Sequence, residues 1–397
     1  MTLYGLPQDV RFCVRCTVSN QRPSSCVEFK HTADSVKATI HIDGDGVCDA
    51  CRAAEKKKDT IDWEVREAQL IKLCNRYRKN NGEYDCLVPG SGGKDSFYAA
   101  WKLKYQYGMH PLTVTWAPNL YTEWGWRNFQ RWIYAGFDNY LCTPSGKTHR
   151  LITRLAVDNL LHPFQPFILG QKQLAPRMAK MFDIPLVFYG ENESEHGNPL
   201  ADNSRAKRDW SYYASTDREN LFLGGVPISS LISDYGLSAA DLQPYLPMEP
   251  DDSIEVHYLG YYIPWHPQGA YYHAAEHGGF ECSPERTPGT YSKYNSIDDK
   301  IDDFHYYTTY IKYGIGRATY DSSQEIRNGD LTRDEGIALV REYDGEYPAR
   351  FEGGVFRYLN VDGFPEYDRE SFLAHCEKFK SPHLWDGDKL RHTVWQG

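Results

Sequence analysis

Several things are missing from this 397-residue chain, and each absence excludes a class of function. No apolar run approaches the roughly 18 residues that a membrane-spanning helix needs, so no bilayer span is expected. The opening residues, MTLYGLPQDVRFC, have neither the basic start nor the apolar stretch of roughly 7 to 15 residues of a secretory leader, and a cytoplasmic protein is expected. Positive charge is in deficit: 44 Lys and Arg against 54 Asp and Glu give a formal net charge of −10. Binding to a phosphate backbone draws most of its affinity from clustered Lys and Arg, so a small substrate is expected and nucleic acid is not. Internal repeats and low-complexity tracts are absent too.

What is present fits two or three globular domains with a substantial core, since 41% of the residues are hydrophobic. Residues 1–60 contain two C-x-x-C pairs and little periodicity apart from a short strand expected at Ala38 to Ile42, and are expected to form a metal-tied arm. A helix follows, with Trp63, Leu70, Cys74 and Tyr77 at helical spacing, Asp62 as N-cap and Gly82 beyond its end. Strands and helices then alternate. The strands are C-L-V-P, L-T-V-T-W and P-L-V-F-Y, and the helices are expected near Asp95 to Tyr107, Trp126 to Gly136, Thr148 to Leu161 and Gln171 to Phe182. Alternation of this kind predicts an α/β fold with a doubly wound parallel sheet. With a further strand at I-E-V-H-Y-L, this domain is expected to span 61–265, and 266–397 to be a mostly helical region that completes the substrate site.

The segment V-P-G-S-G-G-K-D-S-F, Val88 to Phe97, has the look of a phosphate-binding loop but not of the common kind. A Walker A loop needs G-x-x-x-x-G-K-[S/T]; here Val88 stands where the first glycine belongs, and Lys94 is followed by Asp95. What remains is a strand, S-G-G-K-D-S and a helix. Glycines let the backbone close round an anion, free N–H groups and the helix dipole face it, and Lys94 adds a point charge. The plain alternative is a turn that joins strand to helix with Asp95 or Ser96 as its cap.

Cys13-x-x-Cys16 and Cys48-x-x-Cys51, with 31 residues between the pairs, have the ligand type and spacing of a closed tetrahedral Zn²⁺ site. A redox C-x-x-C is the rival. Redox motifs seldom come as two pairs ahead of a fold, and four thiolates leave no open coordination position for catalysis, so the metal is expected to be structural.

The residues Ser91, Gly92, Gly93, Lys94, Asp95 and Ser96 resemble the pyrophosphate loop of the PP-loop ATPase (adenine nucleotide alpha hydrolase-like) superfamily. That likeness implies ATP and Mg²⁺ as cofactors and cleavage between the α and β phosphates. Together with the cysteine pairs, Y-G-E-N-E-S-E at Tyr189 to Glu195 and K-Y-G-I-G-R-A-T-Y-D-S-S-Q-E-I-R-N-G at Lys312 to Gly329, the sequence resembles the N-acetyl sugar amidotransferase family of the WbpG type. The resemblance implies conversion of an acetamido group on a sugar to an acetamidino group, with ammonia as nucleophile, in bacterial surface-polysaccharide synthesis such as that of lipopolysaccharide O-antigen. It also implies a partner, a separate glutaminase and cyclase-like ammonia-delivering pair. In keeping with this, the chain begins Met1-Thr2-Leu3 without an N-terminal nucleophilic cysteine, and none of its ten cysteines stands in G-x-C-x-G. Two other readings stay open at this point: a PP-loop enzyme that modifies tRNA, and a zinc-arm binding module without catalysis.

Lys94, Asp95 and Glu191 are the expected catalytic residues. Glu191, Asn192 and Glu195 follow a buried-looking strand, at the sheet edge where doubly wound folds bind ligands, and are expected to hold Mg²⁺ or substrate; a solvated acidic turn is the alternative. Arg317, set after two glycines, is expected to meet a phosphate or a sugar carboxylate together with Asp321, or else to belong to an interdomain ion-pair network. The stripe Ile297, Ile301, Phe304, Thr308 and Ile311 reads as core, Thr332 and Glu335 as a capping box, and the tyrosine-rich run H-Y-L-G-Y-Y as a stacking surface or simply core.

Overall fold

The structure is a computed structural model that describes residues 2–24, 37–197, 205–215 and 221–396. In chain order the helices are α1 (Asp49–Asp59), α2 (Trp63–Tyr77), α3 (Lys94–Trp101), α4 (Glu123–Tyr134), α5 (Gly146–Leu160), α6 (Gln165–Met181), α7 (Ile228–Ser233), α8 (Ala239–Leu242), α9 (Pro267–Gly278), α10 (Asp302–Tyr313), α11 (Arg317–Asn328), α12 (Arg333–Tyr343), α13 (Glu352–Leu359) and α14 (Arg369–Glu377). The strands are β1 (Cys86–Pro89), β2 (Pro111–Trp116), β3 (Asn139–Cys142), β4 (Leu186–Tyr189), the small hairpin β5 (Phe222–Leu223) with β6 (Val226–Pro227), β7 (Glu255–Tyr258), and a second small hairpin, β8 (Trp385–Asp386) with β9 (Lys389–Leu390).

Five strands form one sheet in the order β3-β2-β1-β4-β7, and every pairing is parallel. The register sets Val88 opposite Thr113 and Leu186 opposite Glu255. Every residue of β1 and β2 is buried, as expected of central strands covered on both faces. One face carries Leu70 of α2, Phe97 of α3, Trp132 of α4 and Ala274 of α9; the other carries Ile152 of α5 and Leu169 and Ala175 of α6. From β1 the chain winds outward to β2 and β3, and the later strands β4 and β7 lie on the other side. The order therefore reverses between β1 and β4, and the carboxyl ends of these two strands flank the crevice where such sheets bind ligands.

A third core joins the C-terminal helices to the sheet domain: Phe304 and Ile311 of α10, Val355 of α13 and Phe372 of α14 pack with Val157 of α5 and Leu6. Ile301, Phe304 and Ile311 are buried, so that stripe is core as its spacing indicated. Asp62 caps α2 by accepting the Val65 N–H at 3.1 Å, and Thr332 and Glu335 form the capping box of α12.

Three local features differ from the sequence reading. Ala38 to Ile42 forms no strand, only isolated bridges from Thr39 to Pro23 and from Ile42 to Cys48. The helix after the loop does not run regularly to Tyr107 but turns π-helical over Lys102–Gln106. The edge strand β3 went unforeseen because N-Y-L-C is short, half exposed and led by a poor strand former.

Candidate active site

At the end of β1 the chain passes through Gly90, Ser91, Gly92 and Gly93 directly into α3. The Gly90 N–H still belongs to the sheet, donating to the Val114 carbonyl at 2.9 Å. Gly92 then takes φ +86°, a left-handed conformation, and a Cβ there would stand 2.8 Å from the backbone oxygen of Asn128 in α4. Gly93 is extended and precedes the first turn of α3, which no side chain caps. The first N–H groups of α3 therefore stay available to an anion. Ser96 bonds back to the Gly93 carbonyl at 3.0 Å and holds the turn closed.

This loop opens on a cavity of about 620 Å³, within the range of small-molecule sites. Ser91, Gly93, Asp95 and Ser96 form its wall on the β1 side and Glu191 on the β4 side. The Asp95 carboxylate accepts from Lys94 Nζ at 2.6 Å and from Trp265 Nε1 at 3.0 Å. Burial raises its pKa, with Lys94 pulling it down and nearby Glu191 pushing it up. Lys94 itself is 7% exposed, and its ammonium lies over the rings of Trp265 and Tyr294 at 5.6 and 5.9 Å. Lys94 stands behind the wall and orients Asp95, which faces the cavity.

Glu191 lies 3.4 Å from His196 Nε2, while His196 Nδ1 receives the Gln324 amide of α11 at 2.9 Å. That arrangement sets the tautomer, with the proton on Nε2 directed at the carboxylate. Burial pushes Glu191 upward, but the hydrogen bond from His196, with Lys94 beyond, more than offsets this and holds its pKa at about 2. Glu191 is therefore an anion in the wall at any ordinary pH.

The remaining residues expected to hold Mg²⁺ or substrate lie outside the wall. Asn192 caps a short turn by accepting the Ser194 N–H at 3.0 Å. Glu195 pairs with Lys57 of α1 at 2.8 Å, joining the cysteine arm to this loop. Arg317 and Asp321 pair with each other at 3.0 Å; Arg317 covers the Tyr306 ring, and Asp321 accepts from Thr290 and Asn295. Glu193, His196 and Arg22 line the cavity without having been singled out by sequence. Glu193 accepts from Tyr258 at 2.8 Å and pairs with Arg208. Strand alternation offered no signal, because the chain bends after Tyr189 and Glu193 already opens a 3-10 turn that runs to His196. The C-terminal region supplies a further wall, including His305, Tyr306, Lys312 and Tyr320.

Cys13, Cys16, Cys48 and Cys51 are all buried, and their four sulfurs lie within 4.8 Å of one another. Cys13 and Cys51 are 3.8 Å apart and Cys16 and Cys48 3.7 Å. A sulfur tetrahedron with metal–sulfur bonds near 2.3 Å has edges of about 3.8 Å, so the cluster fits a metal ion held by four thiolates. The N–H groups of Arg15 and Cys48 both point at Cys13 Sγ at 3.4 Å, a supporting shell usual round such thiolates. Thr17 reaches Ser322 at 3.0 Å and Arg333 the Cys13 carbonyl at 3.3 Å, so the arm docks on α11 and α12.

Comparison with known proteins bears on the last region of the chain above all. Residues 288–396, which include α10 to α14, match the family described as LPS biosynthesis protein WbpG-like, C-terminal domain. The uncharacterized protein MJ1599 of Methanocaldococcus jannaschii is 34% identical over 91 residues, which are 23% of this chain and 31% of that protein. Among solved structures, NMN synthetase from Francisella tularensis is similar with a TM-score of 0.33 and 9% identity, over 77% of this chain and 100% of that one.

Proposed function

We propose that this protein is an ATP-dependent amidotransferase that turns the acetamido group of a sugar, or of a nucleotide-linked sugar, into an acetamidino group for a bacterial surface glycan such as lipopolysaccharide O-antigen. The observation that carries this reading is one cavity whose walls are the S-G-G-K-D-S loop on one side and the WbpG-like domain on another. Activation and acceptor recognition belong to the same space.

In the proposed reaction the acetamido oxygen attacks the α-phosphorus of ATP, and the bond to the β-phosphate oxygen breaks. Pyrophosphate leaves, and the carbonyl carbon now carries an adenylated imidate. Ammonia adds to that carbon, AMP departs with the former acetamido oxygen, and loss of a proton leaves the amidine. The loop N–H groups and the start of α3 receive the leaving pyrophosphate, a largely electrostatic task. Asp95, oriented by Lys94 and Trp265, and Glu191, kept ionised by His196, are the wall carboxylates that would hold Mg²⁺, which when bound screens the triphosphate. Zn²⁺ in the four-cysteine cluster would be structural. Ammonia is scarce near neutral pH, so a separate glutaminase with a cyclase-like subunit is the proposed source.

The test is to incubate purified protein with ATP, ammonium chloride and a panel of nucleotide-linked acetamido sugars. AMP, pyrophosphate and an amidine product in equal amounts are expected. ADP and phosphate in their place would refute the reading.

A further inference from the structure

The three carboxylates in the cavity wall each have a side-chain partner: Asp95 has Lys94, Glu191 has His196 and Glu193 has Arg208. Arg22 is different. It lines the same cavity, delivered by the cysteine arm six residues beyond Cys16, and is 5% exposed. Among the described residues no carboxylate lies within ion-pair reach of its guanidinium. Its contacts there are the Pro23 carbonyl at 3.4 Å and the ring of Tyr320 in α11 at 5.2 Å. Its backbone is fixed on both sides, since its N–H donates to the Ser19 carbonyl at 3.1 Å and its own carbonyl accepts from Ile40 at 2.8 Å.

A buried guanidinium with no carboxylate partner among the described residues is costly to keep charged, and a ligand that brings negative charge would offset that cost. Tyr320 backs Arg22, and Tyr306 stands edge-on to Tyr320 at 5.7 Å, so an aromatic wall borders the cation. His196 connects this corner to the loop side, touching Glu191 on one edge and Gln324, one turn beyond Tyr320, on the other.

We propose that Arg22 binds an anionic group of the second substrate, a diphosphate or a carboxylate carried by the acetamido sugar, so that the cysteine arm forms part of the acceptor site. This rests on the amidotransferase reading. It makes Arg22 a specificity residue and gives the metal cluster a task beyond tying the arm: it sets the loop that presents Arg22.

The experiment measures binding by calorimetry, on the full chain with its metal, of ATP, of UDP-N-acetylglucosamine and of the C6 uronic acid of that nucleotide sugar. Arg22→Met is expected to weaken sugar-nucleotide binding roughly 10- to 100-fold, the usual effect of losing a charge-assisted contact, and to leave ATP affinity within about twofold. Equal weakening of both sugars identifies the diphosphate as the bound group; weakening of the uronic acid alone identifies the carboxylate. If Arg22→Met fails to fold, Arg22→Lys carries the test, with a loss of several-fold for the sugar and none for ATP. Unchanged sugar binding in a folded variant overturns the assignment of Arg22, as does equal weakening of ATP and sugar. A wild-type protein that binds ATP but neither sugar overturns the amidotransferase reading and this proposal with it.

Discussion

Gly92 and Gly93 are neighbours in one motif, yet the structure assigns them different work, and alanine at each position separates the two. At Gly92 the backbone has φ +86°, where an L-residue costs about 1 to 2 kcal/mol. The added methyl would also stand 2.8 Å from both the Asn128 oxygen and the Phe129 Cα, which belong to the middle of α4 and cannot swing aside as a side-chain end would. Overpacking of this kind adds roughly 1 to 3 kcal/mol, so Gly92→Ala is expected to destabilise by about 3 kcal/mol in total. At Gly93 the conformation is ordinary, with φ −66°, and a Cβ would meet only Ser91 Oγ at 3.7 Å. Gly93→Ala should leave stability within about 0.5 kcal/mol while narrowing the anion cradle. Urea unfolding and ATP affinity, measured on both variants, read the two effects apart. Gly92→Ala should lose stability and ATP binding together; Gly93→Ala should lose ATP binding alone. If Gly92→Ala unfolds at the wild-type midpoint, the left-handed turn against α4 is not what the sequence forms.

Lys94→Ala, which removes the cation that orients Asp95, is expected to lower turnover roughly 100-fold or more with the fold intact, and a near-normal rate in a pyrophosphate-release assay would refute that role. Cys48→Ser should lower zinc content from about one ion per chain, measured by atomic absorption, and reduce stability or solubility more than ATP affinity. Burial lowers the pKa of His149 to about 4, with Tyr245 at 2.8 Å and Asn119 at 2.7 Å on its two nitrogens, so the folded state binds its proton later than the unfolded chain does. Stability from this group is complete above about pH 6.5 and falls as pH drops toward 4, by roughly 1.4 kcal/mol at pH 5.5; urea midpoints that do not move between pH 7.5 and 5.5 would exclude the effect. Ammonium, and not glutamine, should support amidine formation by this chain until a glutaminase partner is added, which product analysis by mass spectrometry decides.

Features set by short-range pattern were legible in the sequence. The α2 stripe, the capping box at Thr332, the buried runs of β1, β2 and β4 and the two C-x-x-C pairs each carry their meaning within a few residues. The parallel sheet follows from their alternation. Residues whose role depends on distant partners were not legible. Arg22 sits in a polar loop, V-S-N-Q-R-P-S, that looks solvated until α11 folds over it and brings Tyr320 to its guanidinium. Arg317 read equally as a ligand residue or as a member of an ion-pair network, and only the structure shows its pairing with Asp321, one turn along the same helix.

The direction of the acidic residues after β4 shows most sharply why a motif does not fix a site. In E-N-E-S-E every side chain is polar, and composition gives no reason to prefer one over another. What decides is how closely the backbone of this loop approaches its neighbours. A Cβ on Gly190 would stand 3.1 Å from the Asp95 carbonyl, and one on Gly260 2.9 Å from the Asn192 nitrogen, so the two crevice loops and the turn after β7 are in near-contact through glycine. That contact leaves the segment little freedom to rotate. Glu191 and Glu193 therefore face the cavity, while Asn192 closes the turn and Glu195 reaches back to Lys57 on the arm. A bulkier residue at Gly190 would drive β4's loop away from Asp95 and separate the two carboxylates proposed to share Mg²⁺, even though every acidic residue of the motif remained in place.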